Sequence, residues 1–110
     1  MQWLNINSEE DYSKAISQSF DKPILIFKHS TRCSVSSMAK RSLEYQWGEL
    51  SEKITPLYLD LITYRAISNK IALDFNIEHQ SPQVLLISSG KCLYNASHND
   101  IDATSIAQNL

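Results

Sequence analysis

The sequence predicts an α/β fold, a mixed sheet of four or five strands with helices on both faces. Two apolar runs of strand length, Ile24 to His29 and Pro56 to Leu61, alternate with stretches of helical periodicity. Such alternation implies parallel strands joined by right-handed crossovers. Near the end, two short strands flank Ser88-Ser89-Gly90-Lys91, which reads as a hairpin turn and adds antiparallel strands.

Each element has its own signal. Trp3 to Ile6 is a short additional strand. Ser8, followed by Glu9, Glu10 and Asp11, starts a helix, because a serine cap and early acidic residues suit its positive end. Tyr12, Ala15, Ile16 and Phe20 mark its apolar face. Asp21-Lys22-Pro23 breaks it, and Ile24 to His29 then reads as a buried parallel strand. Val35, Met38, Ala39, Leu43 and Trp47 recur at helical spacing, and Gly48 suits the left-handed residue that closes such a helix. Pro56 to Leu61 is the next strand. Tyr64, Ile67, Ile71 and Phe75 trace a third helix. Val84 to Ile87 and Cys92 to Ala96 form the hairpin. Ala103, Ile106, Ala107 and Leu110 give a final helix. This order is the thioredoxin architecture; a small flavodoxin-like sheet fits the hairpin and the length less well.

At 110 residues the chain is expected to form one domain, residues 1–110. A net charge of −2 gives no reason to expect nucleic acid or an anionic membrane as partner. No apolar run approaches the length that spans a bilayer. The N-terminus lacks a basic stretch followed by an apolar one, so no signal peptide is expected. Two cysteines, Cys33 and Cys92, are too few for a disulfide scaffold, and a thiol-reducing cytoplasm is the expected location.

Chemistry centres on Cys33, in the loop between a buried strand and the helix that follows. A thiol at a helix start gains thiolate character from unpaired N–H groups and the helix dipole. Lys28, His29 and Arg32 add positive charge nearby. Ser36 stands where a dithiol enzyme has its second cysteine, so Cys33 has no neighbouring resolving thiol. One turn into the helix, the Ser36 hydroxyl is in place to bond the sulfur. Ser81-Pro82 precedes the strand from Gln83 to Ile87. Folds of this type put a cis-proline there, facing the reactive cysteine, with neighbouring backbone free to pair with an extended substrate. Thr31, Arg32, Ser34, Ser81 and Pro82 are therefore the expected substrate-binding residues. Cys92 reads as structural; a resolving role requires that it reach Cys33. His29, His79 and His98 lack the local spacing of a zinc motif, so no bound metal or cofactor is expected. His29 is placed to tune the thiolate, and His79 and His98 read as polar loop residues or helix-end hydrogen-bonders. Asp60 and Arg65 flank the loop after the second strand, where Arg65 reads as a solvated arginine at a helix start or as a binder of an anionic cosubstrate.

These segments resemble the monothiol bacilliredoxins of the YtxJ type over nearly the whole length. The resemblance rests on Thr31-Arg32-Cys33 with Ser36, on Arg65-Ala66-Ile67-Ser68-Asn69, on His79-Gln80-Ser81-Pro82-Gln83, and on Ala96-Ser97-His98. The family usually has proline after its cysteine, where this chain has Ser34, and commonly isoleucine where it has Val35. Losing the proline returns a backbone N–H that can point at the sulfur. The resemblance implies removal of bacillithiol from S-thiolated client proteins, with bacillithiol as the cosubstrate thiol. Arg32, Lys28 and Arg65 are then the cations available for the malate carboxylates of bacillithiol. Three other readings stay open: a glutaredoxin-like deglutathionylase, an iron–sulfur carrier, and an adaptor that binds clients without turnover.

Overall fold

The computed structural model describes residues 1–110, the side chain of Glu49 excepted. In chain order the strands are β1 (Leu4–Asn5), β2 (Ile24–His29), β3 (Thr55–Asp60), β4 (Gln83–Ser88) and β5 (Lys91–Ser97). The helices are α1 (Glu9–Gln18), α2 (Ser34–Gln46), α3 (Arg65–Phe75) and α4 (Ala103–Gln108), with 3-10 turns at Gly48–Glu52 and His98–Asp100. The strands form one five-stranded sheet in the order β1-β3-β2-β4-β5. The pairs β1–β3 and β2–β3 are parallel, while β2–β4 and β4–β5 are antiparallel.

Every residue of β2 is buried, because the strand lies at the centre of the sheet with helices over both faces. Its side chains alternate between two cores. Leu25 and Phe27 join Leu43, Trp47, Val84, Leu86 and Ile106 under α2 and α4. Ile24 and Ile26 join Tyr12, Ala15, Ile67, Ile71, Leu85 and Ile87 under α1 and α3. The same alternation then puts two polar residues into those layers, Lys28 on the α1/α3 side and His29 on the α2/α4 side.

Helix α1 starts as its sequence dictates, with the Ser8 hydroxyl accepting from Asp11 N at 3.0 Å. It stops at Gln18, two residues before Phe20. Tyr12 and Ala15 are buried, but Phe20 is 65% exposed rather than part of the apolar face. The chain turns there because Ser19 is used to hold the hairpin. Its carbonyl accepts from Ser89 N at 2.8 Å and its hydroxyl from Gly90 N at 3.0 Å. Ser89 and Gly90 both have positive φ, 51° and 74°, as a tight primed turn requires. A Cβ on Gly90 would come within 3.1 Å of the Phe20 ring, which lies over the turn.

The first turn of α2 also departs from its periodicity. Leu43 and Trp47 are buried, whereas Val35 and Met38 are 44% and 62% exposed. Gly48, at φ 44°, takes the left-handed conformation just past the helix. In α4, Ala103 and Ile106 are buried, but Ala107 and Leu110 face solvent. Among the described residues no helix is long and apolar enough to cross a membrane.

Candidate active site

Cys33 is the N-cap of α2, with φ −110° and ψ 120°. Its N–H donates to Ser30 O at 3.2 Å, and its carbonyl accepts from Ser37 N at 3.1 Å. The thiol is half-buried and free. The first N–H groups of α2 have no acceptor within the helix, which places partial positive charge beside the sulfur. Thr31, Arg32 and Ser34 are exposed around it.

Ser36 is fully buried. Its hydroxyl oxygen lies 2.6 Å from His29 Nδ1 and accepts from Ser30 N at 3.1 Å. The hydroxyl expected on the sulfur is thus committed elsewhere: it ties the Cys33 loop to the end of β2. His29 sits between the Phe27 and Tyr58 rings at 5.7 and 5.4 Å. Burial, and then the nearby Lys40 charge, push its imidazole below the ordinary value. A neutral ring with Nδ1 accepting from Ser36 satisfies the geometry.

Lys28 corrects an expectation. It points away from the α2 side of the sheet, to the opposite face of β2, where it is fully buried. Its ammonium donates to Ser68 O at 3.0 Å and lies 3.4 Å from His79 Nδ1. Burial lowers its pKa to about 8. Ser68 Oγ is 3.2 Å from the same imidazole nitrogen. Burial, then Lys28 and Arg65, hold His79 below its ordinary value. His79 is therefore a loop residue anchored by hydrogen bonds to Lys28 and Ser68. One signal pointed to it in the sequence: a lysine inside an otherwise apolar buried strand demands acceptors.

The Ser81–Pro82 peptide is cis, and Pro82 is buried. Gln83, beside it, pairs with Lys28 across the β2–β4 ladder, so Pro82 lies at the same end of the sheet as the Cys33 loop. The Gln83 amide donates to Glu78 O at 3.0 Å and accepts from Gln80 N at 3.4 Å. Pro82 O accepts from His98 N at 3.0 Å, joining a third loop to the site. Between that loop and the first turn of α2 is an open groove of about 310 Å³, lined by Val35, Met38, Ala39, Ser42, His98, Asn99 and Ile101.

Cys92 is at the other end of the sheet. It pairs with Ile87, which pairs with Ile24 at the start of β2, whereas Cys33 follows the end of β2. The length of the strand, about 17 Å at roughly 3.3 Å per residue, separates them. A disulfide needs Cα atoms within about 7 Å. Cys92 packs into the α1/α3 core and donates to Tyr94 O at 3.4 Å, and burial pushes its thiol pKa up. Among the described residues no three side chains of His, Cys, Asp or Glu come together as a metal site.

Comparison with known proteins agrees with this geometry. A solved protein described by its thioredoxin fold shares 26% identity and a TM-score of 0.84, over 96% of this chain and 91% of that one. Thioredoxin from Trypanosoma brucei brucei is 17% identical, with a TM-score of 0.78 over 98% and 87% of the two chains. Thioredoxin from Fasciola hepatica is 14% identical, with a TM-score of 0.73 over 94% and 92%. These likenesses establish a thioredoxin fold. The model of the monothiol bacilliredoxin BrxC family matches residues 4–106, nearly the whole chain, including Cys33, Pro82 and His98. The chain belongs to the monothiol bacilliredoxin BrxC family, and its function is thiol redox chemistry.

Proposed function

We propose that the protein removes bacillithiol from mixed disulfides of S-thiolated client proteins, using Cys33 as its sole reacting thiol. The Cys33 thiolate attacks the bacillithiol sulfur. The client–bacillithiol disulfide breaks, the client leaves as a thiolate and takes a proton, and a Cys33–bacillithiol disulfide forms. A second bacillithiol thiolate then attacks the bacillithiol sulfur. Cys33 is released, and the oxidising equivalent leaves as bacillithiol disulfide.

The observation that carries this reading is the isolation of Cys33. Ser36 holds the position one turn away and is bonded to His29 and Ser30, while Cys92 lies at the far end of the sheet. A thiol without an internal partner depends on an external one for release. Arg32, exposed beside Cys33, is the cation best placed for the malate carboxylates; Lys28, buried on the opposite face, is not available to them. Backbone beside Pro82 supplies the pairing edge for the client or cosubstrate. Thr31, Ser34 and Ser81 complete the rim. Such chemistry belongs in a thiol-reducing cytoplasm.

Intact-mass spectrometry tests it. Reduced protein mixed with a bacillithiolated client gains one bacillithiol on Cys33 and frees the client, and added bacillithiol then removes the adduct. Cys33→Ala does neither. Transfer from a glutathionylated client alone shifts the reading to a glutaredoxin-like enzyme. No transfer from either client leaves a binding or cluster-carrying role.

A further inference from the structure

The loop 78–82, which carries Pro82, is held from beneath by two buried side chains that face each other across the sheet. Lys28 and Gln83 are register partners, and both point to the α1/α3 side. Gln83 fixes the loop through backbone groups of Glu78 and Gln80. Lys28 fixes it through the imidazole of His79. The first link is indifferent to protons. The second is not, because Lys28 can only donate and His79 Nδ1 must therefore accept.

We propose that Lys28, Ser68 and His79 form a proton-sensitive clamp that positions the Pro82 loop for thiol transfer at Cys33. The clamp is closed while His79 is neutral. Its Nδ1 then accepts from Lys28, and Lys28 also donates to Ser68 O. When His79 gains a proton, Nδ1 becomes a donor. Ser68 Oγ can turn and accept from it, but the ammonium has nothing left to donate to on the loop. Two cations then face each other with Arg65 nearby on α3, and among the described residues no carboxylate is paired with Lys28 or His79. Glu78, on the loop itself, is exposed. Deprotonating Lys28 at alkaline pH leaves an amine that still has two N–H donors, so the clamp opens on the acid side alone. Burial and the two cations move that opening below the ordinary imidazole value of 6.5. His79 is a positioning residue here, since it acts through the loop.

This inference rests on the proposed transfer reaction, so its test pairs a transfer readout with one that needs no reaction. Full-length reduced protein is followed between about pH 5 and 8. Transfer from a bacillithiol-modified cysteine peptide is divided by the rate of iodoacetamide alkylation at Cys33, read by peptide mass so that Cys92 is counted apart. In the wild type this ratio falls about fivefold on acidification, the worth of one hydrogen bond. His79→Asn keeps an acceptor that cannot be protonated, and its ratio stays high and flat. His79→Leu has no acceptor, and its ratio is low and flat. In parallel, the backbone amide resonances of Gln80, Ser81 and Gln83 show one acid-side titration in the wild type and none in either variant. A ratio in His79→Asn that falls as in the wild type overturns the clamp, as does a wild-type ratio in His79→Leu or a set of amides that does not titrate. If the amides titrate with His79 but the wild type transfers nothing, the proposed reaction fails and the clamp stands as a property of the loop.

Discussion

Lys28 and His29 are neighbours at the end of one strand, yet they solve the same problem in opposite ways. Each is a buried polar side chain that ties down one loop of the site, His29 the Cys33 loop through Ser36 and Lys28 the Pro82 loop through His79. The His29 side is a neutral chain of hydrogen bonds. Its linking group is a hydroxyl, which both donates and accepts, so it can bond the imidazole in either protonation state. The Lys28 side is built around a cation with donors only. It holds its loop in one protonation state of His79 and carries the desolvation cost of a buried charge without a carboxylate. One strand end thus combines a link that tolerates pH with one that responds to it.

The largest effect expected from breaking this pair is on stability. Lys28 has a folded value of about 8 against an ordinary 10.5. Between those values the unfolded chain holds the proton more tightly, so stability rises as pH climbs through the window and the cost is fully present below pH 8. From pH 8 to 10 Lys28 should contribute a gain of about 2 kcal/mol, at roughly 1.4 kcal/mol per unit, against which the raised Cys92 thiol works above its ordinary 9.0. Tyr12, whose phenol is raised by burial and by its bond to Asp74, acts in the opposite sense above its ordinary 10.0. Lys28→Met should abolish the gain and be about 2 kcal/mol more stable at neutral pH, after losing its bonds to Ser68 and His79. Urea unfolding at pH 7, 8 and 10 measures both. A variant no more stable than the wild type, with the alkaline gain intact, would show that the ammonium is solvated and the contrast with His29 wrong.

On the neutral side, Ser36→Ala should cost about 2 kcal/mol, because it leaves Ser30 N–H and His29 Nδ1 without partners in a buried site. The loss should be of similar size at pH 5.5 and at pH 8, since the hydroxyl serves His29 in both states. Denaturant midpoints at the two pH values check this. A loss confined to the higher pH would mean that Ser36 is held as a donor only and that both sides of the strand are proton-sensitive.

The sequence disclosed much of this arrangement and hid the rest for identifiable reasons. The boundaries of β2 follow from composition, since Pro23 and the polar loop bracket an apolar run with no competing periodicity. The hairpin was equally legible, because Ser89 and Gly90 satisfy a local backbone rule. Phe20, Val35 and Met38 continue the helical periodicity yet are exposed, because Phe20 lies beyond the end of α1 and Val35 and Met38 border an open groove. The placement of Cys33 at the start of α2 was local and visible. The partners of Ser36 were not, since seven residues separate it from His29 and only the turn of the chain brings them together. Lys28, Ser68 and His79 are farther apart still, 40 and 51 residues from the lysine, and their meeting depends on the β2–β4 register and the docking of α3.

The smallest expected effect concerns the thiol that the site does not use. Cys92 is half-buried, and among the described residues its one polar contact is a weak S–H donation to Tyr94 O at 3.4 Å. Cys92→Ala removes little volume from the edge of the α1/α3 core, so a loss of about 1 kcal/mol or less is expected. Its effect on thiol transfer should be nil, and under mild oxidant the wild type should show no loss of two hydrogens corresponding to a Cys33–Cys92 bond. The reason is geometric: one thiol follows the last residue of β2, and the other is in register with its first. Bringing them together would require unpairing the hairpin from the central strand, with Val84 to Ile87 leaving both cores. Slower release of the Cys33–bacillithiol adduct in Cys92→Ala would mean that this unpairing happens during turnover. The hairpin would then be a moving part, and the end of the sheet opposite the two anchored loops would belong to the reaction.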